Sequence, residues 1–323
     1  MSWPSVGDVR DAAARLAGIA HNTPLVPSLT TARPGRDVRL KLESLQDTRS
    51  FKVRGAGNVL LAGGRKARGV VTYSTGNHGR ATAHLAGRLG LDVIVCVSHN
   101  TTEDKRRALS TLGADVRVVG SSQDEAAAAA YRLAESGLLL VDPINDPLVT
   151  AGHGTIALEL LEQWPDLDTV VVPVSGGALV SGIALVMKEL RDDVRVVGVS
   201  MEGGAAMIES QRAGRPIVVE EVASLADSLQ GGITLDNTHT FEMVRDLVDE
   251  LVTVSEDQIG AAMVSALAGE RLVLEGAAAT SLAAVAADRA HLGERVVCVA
   301  TGAMVDTTTL TRLCTGADAP RVR

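Results

Sequence analysis

The chain has 323 residues, of which 46% are hydrophobic, and its formal net charge at pH 7 is −8. This length supplies enough apolar side chains for one large domain or two ordinary ones. The negative charge and the small number of aromatic residues, two each of Phe, Tyr and Trp, exclude a nucleic-acid-binding protein. Phosphate backbones attract cations, and unpaired bases stack on aromatic side chains.

Neither the cysteines nor the hydrophobic segments indicate a metal site or a membrane segment. Cys96, Cys298 and Cys314 form no CxxC pair and no Cys/His spacing suited to zinc. No apolar run approaches the roughly 18 residues of a membrane-spanning helix. The first residues, MSWPSVGDVRDAAARLAG, carry charges at helical spacing where a signal peptide has an apolar core. We therefore expect a soluble, cytoplasmic protein in a reducing compartment, with no metal and no membrane partner.

From Asp37 onward, short β-branched segments alternate with longer segments of helical period that are rich in Ala and Leu. This alternation predicts an α/β fold of mostly parallel sheets flanked by helices. Strands are predicted at 37–43, 69–73, 92–97, 115–120, 169–174, 194–200 and 295–300. Helices are predicted at 5–18, 77–89, 122–136, 151–163, 256–268 and 276–287.

A lysine follows the first predicted strand. In LKLESLQDTRSFKVRGA, residues 40–56, Lys52 and Arg54 come after Phe51, where the strand gives way to a helix rich in Gly and Ala. Small neighbours let a lysine approach a cofactor closely, and desolvation together with a nearby cation lowers its pKa, as a Schiff-base lysine requires. The alternative is a basic helix face in solvent, which is the ordinary environment of such a triplet.

The segment SGGALVSG, residues 175–182, follows the strand at 169–174 and leads into a helix. Its backbone N–H groups can converge on a phosphate at the positive end of that helix. The segment contains neither GxGxxG nor the Lys-Ser/Thr pair of a P-loop, so a smaller phosphorylated cofactor fits better than a dinucleotide or a nucleoside triphosphate. A tight strand-to-helix connection without a ligand is the alternative.

Two further segments put small residues at the carboxyl ends of strands, where open α/β sheets bind ligands. STGNHG, residues 74–79, adds hydroxyl, amide and imidazole groups to backbone N–H donors, an array that suits a carboxylate. A capped helix start is the alternative. We expect His78 to be structural or close to that carboxylate, and not a general base. ATGAM, residues 300–304, places Thr301 at the same kind of strand end.

Together with TPL at 23–25, these segments resemble the fold-type II pyridoxal 5′-phosphate (PLP) enzymes of the threonine dehydratase and serine racemase group. The resemblance spans nearly the whole chain. It implies that Lys52 holds PLP as a Schiff base, with Phe51 packed beside the ring. It also implies that Asn77 bonds the 3′ oxygen of the cofactor and that Thr301 faces the pyridine nitrogen. The implied phosphate loop consists of Ser175, Gly176, Gly177, Ala178 and Leu179.

The same resemblance implies where the substrate binds. Its carboxylate is expected at the loop formed by Ser74, Thr75, Gly76, Asn77 and His78. The amine of Lys52 is the expected base at Cα, and Thr75 takes the position of a second acid/base in racemases of the group.

Three positions depart from the pattern of the group. Arg49 replaces a Gly before SFK, and Ser228 replaces a Gly near the substrate amine, so both are candidate substrate-binding residues. Ser200 replaces a Glu of cation-dependent relatives, which argues against a metal site.

The resemblance implies an ammonia-lyase that eliminates the β-hydroxyl group of a β-hydroxy α-amino acid. The neutral Thr301 makes PLP a weak electron sink, which favours prompt elimination over transamination. The segments VVGVSMEGGAAM, LADSLQGGITLDN and FEMVRDLVDELVTVSE are similar to hydroxyectoine-utilisation dehydratases, which adds an ectoine-derived diamino-hydroxy acid to threonine and serine as expected substrates. The alternatives are a racemase, a β-replacement synthase and a non-catalytic binding protein, the last of which Lys52 argues against.

The resemblance also implies the domain organisation. A large PLP-binding domain, residues 1–67 and 146–323, is expected to contain an inserted small mobile domain, residues 68–145. Closure of the small domain on the substrate is the expected gating step. Relatives of this group are usually dimers, so we expect a homodimer.

Overall fold

The computed structural model describes residues 3–63, 67–74 and 76–316. Within these ranges the chain alternates between strands and helices, as the sequence predicts. The strands are β1 Leu25–Pro27, β2 Asp37–Lys41, β3 Val70–Tyr73, β4 Val93–Val97, β5 Asp115–Val118, β6 Leu139–Leu140, β7 Thr169–Pro173, β8 Arg195–Met201, β9 Glu250–Val254 and β10 Arg295–Val299. The helices are α1 Val6–Leu16, α2 Lys52–Gly63, α3 Asn77–Arg88, α4 Glu103–Thr111, α5 Gln123–Glu135, α6 Pro147–Gln163, α7 Ala178–Leu190, α8 Ala206–Ala213, α9 His239–Leu247, α10 Glu256–Ser265, α11 Gly276–Ala286 and α12 Thr307–Thr315.

The strands form two sheets. The larger sheet has the order β1-β2-β10-β7-β8-β9, and the smaller has the order β5-β4-β3-β6. Every pairing is parallel except that of β1 with β2. The prediction of an α/β fold with mostly parallel sheets is confirmed. All four strands of the smaller sheet come from residues 68–145, the predicted small domain, whose boundaries stay a prediction.

Helices cover both faces of the larger sheet. Along β7, Val170 and Val172 pack on one side with α1, α6 and α7, whereas Val171 packs on the other side with α10 and α11. Successive side chains of a strand point to opposite faces, so a strand that is covered on both sides needs an unbroken apolar run. The unbroken valine-rich segments of the sequence therefore correctly indicate strands that are buried on both faces.

The smaller sheet is covered in the same way by small side chains. Val70 packs with α2 and α3 on one face, and Val71 packs on the other face with the alanines of α5. Four of the five alanines in the run 126–130 are buried there. No helix of the described chain is long and apolar enough to cross a membrane.

Candidate active site

The carboxyl ends of strands from both sheets open on a cavity of about 770 Å³. This is the edge at which open parallel sheets bind ligands. The cavity brings together nearly all of the residues that the sequence singles out. Those that line it are Phe51, Lys52, Ser74, Gly76, Asn77, His78, Ser175, Gly176, Gly177, Ala178, Leu179, Ser228 and Thr301.

Lys52 is held at the cavity by a backbone connection to the end of β10. Ser50 and Gly302 form an isolated antiparallel bridge, and the N–H group of Phe51 donates to the carbonyl oxygen of Thr301 at 3.0 Å. Lys52 is the first residue of α2. The segment before α2 thus lies against the strand end that carries Thr301, although almost 250 positions of the sequence numbering lie between them.

The surroundings of the Lys52 amine favour its unprotonated form. It lies 5.0 Å from the centre of the Phe51 ring, and it has no hydrogen-bond partner among the described residues. Burial lowers the pKa of Lys52 to about 8, against the opposing charges of Asp142 and Glu275. The unprotonated fraction of this amine near neutral pH is therefore much larger than that of an ordinary lysine, as a Schiff-base or general-base lysine requires.

The segment from Ser175 to Leu179 forms a cradle at the start of α7. Gly177 has a φ of 92°, and a Cβ atom there would lie 2.8 Å from Cε of Met207. The N-cap residue of α7 is Gly177, which has no side chain to bond the first turn of the helix. The N–H groups of that turn are therefore available to an anion. The hydroxyl of Thr240 donates to the carbonyl oxygen of Gly176 at 2.7 Å, and this hydrogen bond stabilises the backbone of the cradle.

Asn77 begins α3 and is tied to a residue that the sequence analysis missed. Its Nδ2 atom donates to Oε1 of Glu275 at 2.7 Å, and its Oδ1 atom is buried without a partner among the described residues. Glu275 also accepts from the N–H group of Met304 at 3.1 Å. Burial, with the nearby charge of Asp227, raises the pKa of Glu275 to about 8. An acidic residue directly before a helix of small residues, in LEGAAAT, was the available signal.

Two buried histidines lie behind the lysine, and neither is placed as a general base. Nε2 of His78 lies 3.1 Å from the carbonyl oxygen of Val141, and burial lowers the pKa of His78 to about 3. The ring of His153 meets that of Phe51 edge-on at a centroid distance of 4.7 Å. Burial also holds the pKa of His153 well below its usual value. Both rings are therefore neutral, and His153 supports Phe51 by packing.

Two of the expected substrate-binding residues, Arg49 and Ser228, are placed differently from the rest. Arg49 is exposed, has a left-handed backbone with a φ of 60°, and does not line the cavity. Ser228 is exposed at the cavity wall beside Asp227. Thr75 lies outside the described residues. The roles of all three stay predictions.

An ion pair joins the two halves of the cavity wall. Nζ of Lys105, on α4 beside the smaller sheet, lies 2.9 Å from Oδ2 of Asp227, in the segment that follows α8. Both residues line the cavity. The cavity is therefore bounded by elements of both sheets, and a direct side-chain contact connects them.

The residues present fit PLP. The cavity offers a lysine amine without a hydrogen-bond partner, a buried amide oxygen of Asn77 without a partner, and a loop whose glycines leave no room for a Cβ atom against the side chains packed on it. Thr301 is buried beside them at the end of β10. These groups suit an aldehyde, a ring hydroxyl that donates to the amide oxygen, a phosphate and a ring nitrogen, which PLP carries on one pyridine ring.

Comparison with known proteins agrees with this fit. Residues 16–302 match the family model described as pyridoxal-phosphate dependent enzyme. The chain is 43% identical to a putative threonine dehydratase of Sinorhizobium fredii, over 94% of this chain and 92% of that protein. It is 38% identical to the L-threonine ammonia-lyase of Thermotoga maritima, over 95% of this chain and 77% of that protein.

A solved structure extends the agreement to three dimensions. The structure of maize serine racemase matches with a TM-score of 0.89 and 30% identity, over 98% of both chains. The family model covers most of the chain, including the segments that carry Lys52, Asn77 and Thr301. This protein therefore belongs to the family of pyridoxal-phosphate-dependent enzymes.

Proposed function

We propose that this enzyme is an ammonia-lyase that eliminates water from a β-hydroxy α-amino acid, giving a 2-oxo acid and ammonia. The observation that carries the proposal is the placement of Lys52, with a pKa of about 8, in one cavity with the glycine cradle and the neutral Thr301. The similarity to a putative threonine dehydratase and to an L-threonine ammonia-lyase supports this reaction class.

Each group in the cavity has a role in this proposal. Bound PLP supplies the electron sink that stabilises negative charge at the substrate Cα. The amine of Lys52 removes the proton from Cα, because its lowered pKa leaves it partly unprotonated. Thr301 offers a neutral hydroxyl, which does not hold a proton on the ring nitrogen as a carboxylate would. The weaker electron sink favours immediate loss of the β-hydroxyl group.

The substrate carboxylate is proposed to bind at the start of α3. Gly76 is the N-cap residue of α3 and provides no capping side chain. The N–H groups of the first turn of α3 are therefore available to the carboxylate. Ser74, Thr75 and His78 complete this loop. Asn77, oriented by Glu275, is proposed to bond the 3′ oxygen of the cofactor.

Movement of the segment 68–145 is proposed to close the cavity on the substrate. The ion pair between Lys105 and Asp227 supports this step, because it links the smaller sheet to the opposite wall of the cavity. Both side chains are 44% exposed, so the pair contributes at most about 1 kcal/mol and can open readily.

Threonine and serine are the first proposed substrates. An ectoine-derived diamino-hydroxy acid is a further proposal, and it rests on the sequence similarity of the second half of the chain to hydroxyectoine-utilisation dehydratases. A homodimer in the cytoplasm is likewise proposed, from the resemblance and from the composition.

Racemisation is the second candidate function. The structural similarity to maize serine racemase favours it, whereas a threonine at position 75 disfavours it, because the methyl group of threonine hinders its hydroxyl where racemases of the group carry Ser. Incubation of the holoenzyme in D₂O distinguishes the two activities. A racemase introduces deuterium at Cα with inversion of configuration, whereas an ammonia-lyase consumes the amino acid.

The test of the proposed function is a substrate panel. The holoenzyme is incubated with β-hydroxy α-amino acids, and the 2-oxo acid and ammonia are measured separately. We expect equal amounts of both products, with no product from Lys52→Ala. Product that appears only when a thiol or an amine is added would indicate β-replacement, and the absence of product across the panel would contradict the proposal.

A further inference from the structure

Besides Lys52, a second cation that lines the cavity, Arg80, has no ion-pair or hydrogen-bond partner within the described chain. Arg80 lies on α3, three residues after Asn77, and its side chain lines the cavity. The side chain is partly buried, and its Nε atom is buried with no acceptor among the described residues. Burial lowers the pKa of the Arg80 guanidinium, and no nearby carboxylate offsets this effect.

The carboxylates that line the same cavity are already engaged. Asp104 pairs with Arg107, and Asp227 pairs with Lys105. The remaining three accept hydrogen bonds, Glu256 from Ser224 and Leu225, Glu275 from Asn77 and Met304, and Asp306 from Thr309. None of these five carboxylates contacts Arg80. The Arg80 guanidinium therefore lacks a carboxylate partner within the described chain.

An unpaired charge in a partly dehydrated site is unfavourable unless a ligand compensates it. A guanidinium offers a planar fork of donors that matches a carboxylate. Three residues of α-helix span about 4.5 Å along the axis, so Arg80 lies one turn beyond the loop proposed to hold the α-carboxylate. Because Arg80 also lines the cavity, its guanidinium is available to a second group of a ligand bound there.

We propose that Arg80 forms a subsite for a second anionic group, so that the preferred substrate is a β-hydroxy α-amino acid with an acidic side chain. The simplest such compound is 3-hydroxyaspartate. The reaction assigned to it rests on the proposed function, whereas binding of the acidic side chain does not. The same charge repels a distal ammonium group, so this subsite argues against the ectoine-derived diamino-hydroxy acid as a substrate.

The chemistry is that of the proposed elimination. The Cα–H and Cβ–O bonds of 3-hydroxyaspartate break, and the hydroxide leaves with a proton as water. The resulting enamine tautomerises to an imine, which adds one water and releases ammonia. The products are oxaloacetate and ammonia, with no oxidant and no net consumption of water.

The first experiment measures binding without elimination. L-Aspartate and L-alanine have no β-hydroxyl group, and each is titrated into the holoenzyme while the visible absorbance of the cofactor is followed. We expect L-aspartate to bind at least tenfold more tightly than L-alanine. Arg80→Met should weaken L-aspartate binding at least tenfold and leave L-alanine binding within twofold. Equal affinities in the wild-type enzyme, or equal losses in the variant, would overturn the proposal.

Matched variants separate charge recognition from damage to the fold. Arg88→Met removes the same charge from the same helix at a position outside the cavity, where Arg88 lies 3.8 Å from Asp47. We expect it to bind L-aspartate as the wild-type enzyme does. Arg80→Lys keeps the charge and should recover part of the preference for L-aspartate. A loss of preference in Arg88→Met as large as that in Arg80→Met contradicts a specific subsite.

The second experiment compares kcat/KM for 3-hydroxyaspartate, serine and threonine. We expect the acidic substrate to be preferred at least tenfold and Arg80→Met to abolish that preference. If serine and threonine react without a preference that depends on Arg80, this inference is wrong and the proposed function stands. If no substrate reacts but L-aspartate still binds through Arg80, the proposed function is wrong and the subsite stands.

Discussion

Asn77 and Glu275 are 198 positions apart in the chain, and the amide of one donates to the carboxyl group of the other at 2.7 Å. The bond ties the first residue of α3 to the residue that precedes α11. Glu275 is buried and contacts the backbone of Met304 as well. We therefore assign Glu275 as a positioning residue, which sets the orientation in which Asn77 meets the cofactor.

Glu275 predicts a pH dependence of stability in the cofactor-free protein. Its pKa is raised from 4.5 to about 8, so the folded state binds more protons than the unfolded state between these values. Stability contributed by this group is therefore full at low pH and is lost as the pH rises from about 5 to 8. Glu275→Gln removes this contribution.

The measurement is the melting temperature of the wild-type protein and of Glu275→Gln at several pH values. Buried groups such as His78 titrate in the opposite sense at lower pH, so the difference between the two proteins is the informative quantity. We expect the wild-type protein to lose stability relative to the variant as the pH approaches 8. Parallel curves for the two proteins would show that Glu275 has no raised pKa.

The glycine cradle predicts a specific loss of cofactor. Gly177→Ala introduces a Cβ atom 2.8 Å from Met207 at a φ of 92°. We expect a cost of about 1 kcal/mol or more from the backbone alone, and cofactor affinity at least tenfold weaker, measured by titration of the apoenzyme with PLP.

Gly214→Ala is the matched control for this variant. Gly214 has a φ of 70°, and a Cβ atom there meets nothing within 4 Å. It therefore carries a similar backbone strain without the steric contact and away from the cavity. Equal PLP affinities of the two variants would contradict the assignment of the cradle.

A buried charge network supports the helix that carries Lys52. Arg54 donates to Glu43 at 2.8 Å and to Glu159 at 2.6 Å, and Lys41 also bonds Glu159. Breaking a buried pair leaves an uncompensated charge, so Arg54→Met should destabilise the fold by about 3–5 kcal/mol. Unfolding in urea, followed by circular dichroism, measures this change.

An exposed ion pair gives the comparison for Arg54. Arg191 lies 2.7 Å from Asp193 at the surface, where solvent screens the charges, so Arg191→Met should change stability far less than Arg54→Met. We also expect Arg54→Met to bind less PLP, because Arg54 is two residues from Lys52 in the same helix. Similar effects of the two substitutions on stability would contradict a supporting role of the network.

The fold is predicted well where local pattern and burial agree. The valine run of β7 and the small-residue turn after it depend on neighbours in sequence, and both are confirmed. The prediction missed β1 and β6, whose lengths are 3 and 2 residues, because they are too short to show a period. It also missed β9, an edge strand that is mostly half-buried.

The sequence predicts those residues of the candidate site that belong to a short local motif. Lys52, Asn77 and the loop at Ser175 each follow a local signal, and the fold brings them to one cavity. Glu275 was missed because its partner is remote in sequence. Arg49 adjoins the lysine motif, but it is exposed and does not line the cavity, so its role at the substrate stays a prediction.

The attachment of the cofactor to Lys52 is the central claim of this account. Reduction of the holoenzyme with borohydride, followed by peptide mapping with mass spectrometry, identifies the modified lysine directly. We predict one pyridoxyl group on the peptide that contains Lys52, and loss of the visible absorbance band in Lys52→Ala. Modification of another lysine, or an unchanged band and activity in Lys52→Ala, would contradict the account.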